Sequence, residues 1–375
     1  MKRNQLKHLK IQGFKSIKRL DLDLGDINVL IGPNGSGKSN FISFFRMLND
    51  IVRLELQLFV QKVGRADSLL YYGAKVTNSI DTELYFGRNR YRFKLVPTED
   101  NRLVFDREII HFQGDYDPDP EIIGRGHEES NLPEAYKQSR KHSVPGYVYP
   151  SVSTWRVYHF HDTGPNAPPK QPCDINDNEK LRPDADNIAA FLYLMREQNE
   201  ENYRLIERSV QRIFPRFEEF ALRPNPHSPD TIRLEWRERG SDYRFQPHQL
   251  SDGTLRFICL ATLFLQPSLP TTVIVDEPEL GLHPRALGVL AGLIRSAASR
   301  SQVIMTTQSV TLLNQFNPDD VIVIDREEDT DNGVVDETRS MSIFRRLQDR
   351  EDLHSWLEEY TIGELWEMNL IGGRP

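Results

Sequence analysis

The residues with the clearest chemical potential form the stretch GPNGSGKS, residues 32–39, which matches the pattern G-x-x-x-x-G-K-[S/T]. Glycines in such a loop let backbone N–H groups curve around an anion, and the following helix directs the positive end of its dipole at that anion. Lys38 is expected to reach the β- and γ-phosphates of a nucleoside triphosphate, and the Ser39 hydroxyl to bind Mg²⁺. The predicted phosphate-binding residues are Gly32, Pro33, Asn34, Gly35, Ser36, Gly37, Lys38, Ser39 and Asn40.

An acidic pair follows a second apolar run, in TTVIVDEPE. A phosphate-binding loop of this kind needs a carboxylate at the end of a neighbouring strand to complete the Mg²⁺ shell, and Asp276 is the predicted supplier. Glu277, the next residue, is then the predicted general base that polarises the attacking water. Taken alone, an Asp-Glu pair after a strand is usually only solvated, so this prediction depends on residues 32–39.

A third polar break occurs in QLSDGTLRF, where Ser251, Asp252 and Gly253 precede the apolar run ICLATLFL. A serine or aspartate before an apolar helical run is what an ordinary helix N-cap looks like. The stretch by itself therefore predicts only the start of a buried helix. Together with residues 32–39 and the acidic pair, the same stretch has a second interpretation.

The elements that must position these residues follow from the alternation of apolar and polar residues. LKHLKIQGF and KRLDLDL predict two strands, INVLI predicts a buried third, and the stretch after residue 39 predicts a helix, broken at most once, that ends near Gly64. Alternation from about residue 80 to residue 113 predicts an antiparallel meander. Residues 114–150 lose all periodicity and predict a long exposed loop or an insertion around a short helix.

The second half of the chain has a different pattern. TWRVYHF and TIRLEW predict strands, and the stretch from ADNIAAF to SVQRIF predicts one long or two short amphipathic helices. TTVIV, QVIMT and DVIVID predict buried strands that alternate with helices, which is typical of a parallel sheet covered on both faces. From SIFRRLQDRE onward the sequence predicts short helices and a glycine-rich tail. The chain is therefore predicted to be an α/β protein.

The order of these motifs resembles that of the ABC-type ATPases, with a P-loop first, LSDG far downstream, and the Asp-Glu pair shortly after it. The resemblance implies that Ser251, Asp252 and Gly253 are the signature, which contacts the γ-phosphate held by another subunit from a helix N-terminus. It also implies that two copies close head to tail around two ATP molecules. Hydrolysis of ATP would then require a homodimer, and assembly beyond a dimer is left open.

Two further segments fit the same resemblance. PELGLHP, directly after the acidic pair, looks like the D-loop and places His283 at the dimer seam. MTTQS looks like the switch segment and places Gln308 where the family usually has histidine. An amide can bond a phosphate or a water but cannot become positively charged. Slow turnover, or turnover that depends on a partner, is therefore expected. The Q-loop glutamine is not identified, and Gln113 is one candidate.

The first forty residues closely resemble the N-terminal lobe of SMC, RecF and OLD-like ATPases. Together with SLLYYGAK, RVYHFHDTG, DNIAAFLYLM and TTQSVTLL, they are similar over nearly the whole chain to the stand-alone AAA-type ATPases of bacteria. The implied fold is an ABC/SMC-type head with a strand-rich N-terminal lobe, a mainly parallel sheet flanked by helices, and an inserted α/β region. Several related ATPases work with nuclease or toxin partners in defence against phage, and this chain has no sign of an appended TOPRIM nuclease.

Four segments follow from this comparison. They are an N-terminal ATPase lobe with the P-loop and meander at 1–113, inserted loops, a strand and helices at 114–245, a C-terminal ATPase lobe at 246–330, and a helical tail at 331–375.

The composition favours a cytoplasmic protein. The net charge is −8, so the chain lacks the excess of basic residues that is typical of a dedicated nucleic-acid-binding protein. The first residues are too polar for a secretory signal, and the longest apolar run is too short to span a membrane. Cys173 and Cys259 form neither a disulfide framework nor a zinc pattern and are interpreted as unpaired thiols.

Two smaller clusters have ordinary explanations. His159, His161 and Asp162 in HFHD lack a further histidine or cysteine at ligand spacing, so a structural role is favoured over a metal site. The basic stretch around Arg140 and Lys141 is interpreted as a solvated loop rather than a nucleic-acid patch.

The sequence thus predicts an ATPase that needs ATP and Mg²⁺, dimerises on ATP and acts as a nucleotide-driven switch with an effector partner in anti-phage defence. One alternative is a RecF-like repair ATPase whose closed dimer clamps DNA through a basic groove, with strongly salt-dependent binding. Another is a pseudo-ATPase scaffold in which ATP is structural and Gln308 marks lost turnover.

Overall fold

The fold is known from a computed structural model, which describes residues 5–114, 119–140, 142–331 and 334–374. The chain forms two compact units, neither of which is continuous in sequence. The first comprises residues 1–156, 270–274 and 317–375, and the second comprises residues 157–269 and 275–316. Lys141 of the basic stretch lies outside the described residues.

The first unit contains the N-terminal strands and the helices that follow them. Its elements up to residue 154 are β1 (His8–Phe14), β2 (Ile17–Asp23), β3 (Ile27–Ile31), α1 (Lys38–Val52), α2 (Leu56–Lys62), β4 (Ile80–Phe86), β5 (Asn89–Pro97), β6 (Leu103–Phe112), β7 (Glu121–Gly124), α3 (Leu132–Gln138) and α4 (Val144–Thr154).

Six of these strands form an antiparallel sheet in the order β2-β1-β4-β5-β6-β7. Alternating burial along β4 and β5 shows that each strand turns one face to the core and one to solvent, as the alternation of residue types predicts. The predicted meander is confirmed, as are the two opening strands. The segment that lost its periodicity contains β7, α3 and α4, which is more regular structure than the single short helix expected.

The second unit carries most of the later elements. With the strands at its boundaries, they are β8 (Arg156–Tyr158), β9 (Cys173–Asp174), α5 (Ile188–Gln198), α6 (Glu200–Ile213), β10 (Phe217–Phe220), β11 (Pro224–Asn225), β12 (Ser228–Ile232), β13 (Trp236–Glu238), α7 (Asp252–Leu265), β14 (Thr272–Val275), α8 (Pro284–Ala298), β15 (Gln302–Thr306) and α9 (Val310–Leu313). The helical stretch after residue 186 is thus two helices, and TIRLEW is divided between β12 and β13.

The chain then returns to the first unit with β16 (Val321–Asp331), β17 (Val334–Arg346), α10 (Leu353–Leu357) and α11 (Ile362–Glu367). β16 pairs in parallel with β3, and β17 pairs antiparallel with β16. The prediction that SIFRR begins a helix is wrong, because this stretch is the end of β17. Cross-strand pairing explains the difference, since Ile343 and Phe344 lie opposite Asp325 and Ile324 of β16.

The two units follow contacts rather than chain order, so residues 114–154 and 317–375 both belong with the N-terminal strands. The four-segment division made from the sequence remains a prediction.

Among the described residues, no helix has the length and apolar character needed to cross a bilayer. Cys173 and Cys259 are both free thiols, and burial raises the pKa of Cys259 to about 12.

Candidate functional site

The loop between β3 and α1 has the backbone that its glycines allow. Gly32, Gly35 and Gly37 have φ angles of +156°, +80° and +122°, a region that favours glycine. A Cβ atom on Gly32 would lie 2.3 Å from the carbonyl oxygen of Ile324, and one on Gly37 would lie 2.2 Å from Oγ of Ser342. The loop is therefore packed closely against β16 and β17, so that only glycine fits at Gly32 and Gly37.

The polar groups of the loop suit an anionic ligand. Lys38 is only 6% exposed, and its ammonium donates to the carbonyl oxygens of Gly32 and Pro33. The Ser36 hydroxyl is buried, and no hydrogen-bond partner for it is found in the described part of the chain. Gly37 is the N-cap of α1 and offers no side-chain cap. An orphaned hydroxyl, a buried ammonium and an uncapped helix N-terminus together fit phosphate oxygens.

The remaining predicted residues of the loop differ in their surroundings. Asn34, Gly35 and Ser39 are exposed, and a Cβ atom on Gly35 would meet nothing within 4 Å. Asn40 donates through Nδ2 to Oγ of Ser16, 2.7 Å away. Asn40 thus holds the loop to the β1–β2 turn, while Asn34, Gly35 and Ser39 lie on the solvent-exposed side of the loop.

The acidic pair in the second unit is oriented by one threonine. Oγ1 of Thr306, the last residue of β15, lies 2.6 Å from Oδ1 of Asp276 and accepts from the backbone N–H of Glu277 at 3.0 Å. Glu277 has a φ angle of +41°, which is unfavourable for a residue with a side chain. Such strain is typical of functional positions. Gln308 donates through Nε2 to Oε1 of Glu277.

A second glutamate, Glu279, accepts hydrogen bonds from the predicted switch segment. Oε1 of Glu279 accepts from the Thr307 hydroxyl and from the backbone N–H of Gln308, both at 2.7 Å. Its Oε2 is buried without a hydrogen-bond partner among the described residues. Burial raises the pKa of the Glu279 carboxyl above its ordinary value of 4.5. Glu279 was not singled out from the sequence although it lies in the stretch TTVIVDEPE, because only its contacts distinguish it from a solvated glutamate.

The raised pKa of Glu279 predicts a pH-dependent effect of its replacement. A carboxyl whose pKa is higher in the folded state stabilises the fold below the unfolded-state pKa, and this contribution is lost as the pH rises through the folded-state pKa. The unfolding free energy of wild type, relative to Glu279→Gln, is therefore expected to fall between pH 4 and pH 7. The fall amounts to about 1.4 kcal/mol for each unit by which the pKa is raised.

Urea unfolding of both proteins at the two pH values measures this difference. Glu218→Gln, at an exposed position in the same unit, is the control and should show no such trend. If the difference in unfolding free energy between wild type and Glu279→Gln stays constant with pH, the prediction that burial raises the pKa of Glu279 is wrong.

The predicted signature residues lie at the start of helix α7. Ser251 is the N-cap, and its side chain accepts from the backbone N–H of Thr254 at 3.1 Å. The ordinary N-cap interpretation is therefore correct as local geometry. A Cβ atom on Gly253 would lie 2.4 Å from the carbonyl oxygen of Gly281, so the predicted signature packs closely on the predicted D-loop. Asp252 lies 3.5 Å from the ammonium of Lys170.

A buried arginine joins helix α7 to its surroundings. Arg256 donates through Nε to the carbonyl oxygen of Phe160 at 2.7 Å, through Nη2 to that of His161 at 2.9 Å, and through Nη1 to that of Leu280. Burial lowers the pKa of its guanidinium. His161 in turn contacts the Asp276 carbonyl oxygen through Nε2 at 2.8 Å. Arg256 was not singled out from the sequence, although a single arginine inside an apolar helical run is a detectable signal.

Three other predicted residues have local roles. Nδ1 of His283 accepts from the backbone N–H of Arg285 at 3.2 Å, so this histidine caps α8. Gln113 accepts from Arg90 through Oε1. The backbone N–H of His159 donates to the carbonyl oxygen of Pro183. Within the described ranges no group of three or more His, Cys, Asp or Glu residues could hold a metal ion.

A family model described as "AAA domain, putative AbiEii toxin, Type IV TA system" matches residues 27–314. No curated protein sequence matches significantly. Among solved structures, an Smc head bound to the C-winged helix domain of ScpA has a TM-score of 0.57 at 17% identity, covering 92% of this chain and 98% of that one. An Smc head with an extended coiled coil, bound to the C-terminal domain of ScpA derived from Pyrococcus furiosus, has a TM-score of 0.55 at 14% identity, covering 94% and 99%.

These two likenesses establish the α/β fold of an SMC head, as the sequence predicts. The family match covers more than half of the chain and includes residues 32–39, the pair Asp276 and Glu277, and Gln308. The chain therefore belongs to the AAA domain family described as putative AbiEii toxin of Type IV toxin–antitoxin systems.

Proposed function

We propose that this protein binds and hydrolyses ATP with Mg²⁺, dimerises on ATP and uses closure of the dimer as a switch. The observation that carries the proposal is the loop of residues 32–39. Its glycines adopt conformations that suit a phosphate cradle, and it contains the buried ammonium of Lys38 and the orphaned hydroxyl of Ser36. These groups are chemically matched to the phosphates of a nucleotide.

Each polar residue has a proposed role in hydrolysis. Lys38 would neutralise the β- and γ-phosphates of bound ATP, while Ser39 and Asp276 would hold Mg²⁺. Bound Mg²⁺ supplies neutralisation of the charge that develops on the transferred phosphoryl group. Glu277 orients the attacking water and accepts its proton. The hydrogen bond between Thr306 and Asp276 supports these roles, because it fixes the carboxylate in one orientation.

Gln308 determines the expected rate of ATP hydrolysis. Its amide donates to Glu277 and carries no charge, so it keeps the base in place without stabilising negative charge as a protonated histidine would. We therefore propose slow turnover that a partner accelerates. The chain remains an enzyme in this proposal, in contrast to a scaffold that holds ATP structurally.

The proposed dimer uses the signature from the second copy. Ser251 and Gly253 at the N-terminus of α7, with His283 at the seam, would contact the ATP bound by the first copy. The two solved Smc heads each carry a bound domain of ScpA, which supports a partner protein for this chain. The toxin–antitoxin description of the family supports an effector nuclease or toxin in anti-phage defence.

The test is steady-state ATP hydrolysis by the purified protein, with and without double-stranded DNA, combined with its mass in the presence of ATP. We expect slow hydrolysis that EDTA abolishes and a doubling of mass with ATP. Turnover stimulated by DNA, with binding that weakens steeply with salt, would instead favour a DNA clamp. Absence of hydrolysis with retained ATP binding would favour the scaffold.

A further inference from the structure

We propose that Gly373 is a positioning residue for the P-loop, and that residues 371–373 are therefore part of the nucleotide site although they lie far from it in sequence. The inference deepens the proposed function and rests on it, since the site concerned is the ATP site. A Cβ atom on Gly373 would lie 3.4 Å from Cα of Gly32 and 3.6 Å from the carbonyl oxygen of Ile31. The segment thus packs against the point where β3 enters the loop.

Two hydrogen bonds and one buried side chain fix this segment. Trp366 in α11 is fully buried, and its Nε1–H donates to the carbonyl oxygen of Gly373. The backbone N–H of Gly373 donates to Oδ1 of Asp325 in β16 at 2.8 Å. Ile371 is 1% exposed, so its side chain is part of the core. The position of Gly373 is therefore determined from two directions by a helix and a strand.

Gly32 is in close contact with both this segment and β16. A Cβ atom on Gly373 would lie 3.4 Å from Cα of Gly32, and a Cβ atom on Gly32 would lie 2.3 Å from the carbonyl oxygen of Ile324. The carbonyl oxygen of Gly32 also accepts from the Lys38 ammonium. Any displacement of Gly32 therefore moves an acceptor of the lysine that we assign to the phosphates. Small displacements of groups that bind a ligand have large effects on binding.

Gly373 leaves no room for a side chain. Its φ angle is +63°, and a Cβ atom would lie 2.7 Å from Cγ1 of Val323. Gly87, in the turn between β4 and β5, has nearly the same φ angle of +64°, but a Cβ atom there would meet nothing within 4 Å. Alanine at Gly87 therefore imposes the left-handed strain alone, whereas alanine at Gly373 adds crowding against β16 and the P-loop.

The experiment compares Gly373→Ala with Gly87→Ala in the full chain. The first measurement is the Kd for a fluorescent ATP analogue with Mg²⁺, which we expect to rise on the order of tenfold in Gly373→Ala and to stay at the wild-type value in Gly87→Ala. The second is hydrogen exchange of the P-loop amides without nucleotide, which should be faster in Gly373→Ala only.

Equal effects of the two alanines on both measurements would overturn the proposal, as would wild-type behaviour of Gly373→Ala. If Gly373→Ala does not fold, Trp366→Phe replaces it, because phenylalanine keeps an aromatic ring at this position but lacks the Nε1–H donor. The Kd and the P-loop exchange should then rise by less than about tenfold. If the wild-type chain binds no ATP, the proposed function fails. The hydrogen-exchange comparison then still decides whether Gly373 positions the loop.

Discussion

Replacing Glu277 with glutamine is expected to lower the rate of ATP hydrolysis by about 10²- to 10⁴-fold, with ATP binding unchanged. The amide cannot accept the proton of the attacking water, which is the step assigned to the carboxylate. It retains an oxygen that can accept from Nε2 of Gln308, and its backbone N–H can still donate to Thr306. The change therefore removes the base and preserves the surrounding geometry.

The measurements are single-turnover hydrolysis, equilibrium binding of ATP, and mass with ATP. We expect Glu277→Gln to accumulate as a dimer in ATP, because a dimer that closes on ATP reopens only after hydrolysis. Glu218→Gln, an exposed glutamate in the same unit, serves as the matched control and should hydrolyse ATP normally. Hydrolysis by Glu277→Gln at the wild-type rate would show that another group is the base.

The strand, loop and helix around the P-loop were predictable from sequence because the signals are local. INVLI is a run of apolar residues apart from Asn28, and all five of its residues are buried. The glycines follow at once, and the helix begins at Lys38 itself. Strand alternation likewise predicted β4, β5 and β6, since each strand has one buried face.

What the sequence left open depends on contacts between distant residues. The interactions of Glu279 with the switch segment, of Arg256 with three carbonyl oxygens, and of Gly373 with Gly32 each join residues separated by many positions. The end of β17 was misassigned for the same reason, because its partner strand decides its conformation. The residues that neighbour a charged side chain in sequence do not identify the group that it contacts in the folded protein.

Replacing Lys38 with alanine is expected to weaken ATP binding by at least about 10²-fold, because a buried ammonium that meets phosphate oxygens makes charge-assisted hydrogen bonds. Each factor of ten corresponds to about 1.4 kcal/mol. The Lys38 side chain is only 6% exposed, so its charge is weakly screened by water. The fold should survive, since a loop bounded by β3 and α1 is fixed by backbone packing at Gly32 and Gly37.

Titration with a fluorescent ATP analogue tests the loss of binding, and thermal unfolding tests the fold. Lys62→Ala, in the last turn of α2, is the matched control because that lysine is exposed in the same unit. Lys38→Ala and Glu277→Gln separate binding of ATP from its hydrolysis. If ATP drives dimerisation, Glu277→Gln dimerises in ATP and Lys38→Ala stays monomeric. Dimers of Lys38→Ala at the same protein concentration would mean that assembly does not depend on the nucleotide held by residues 32–39.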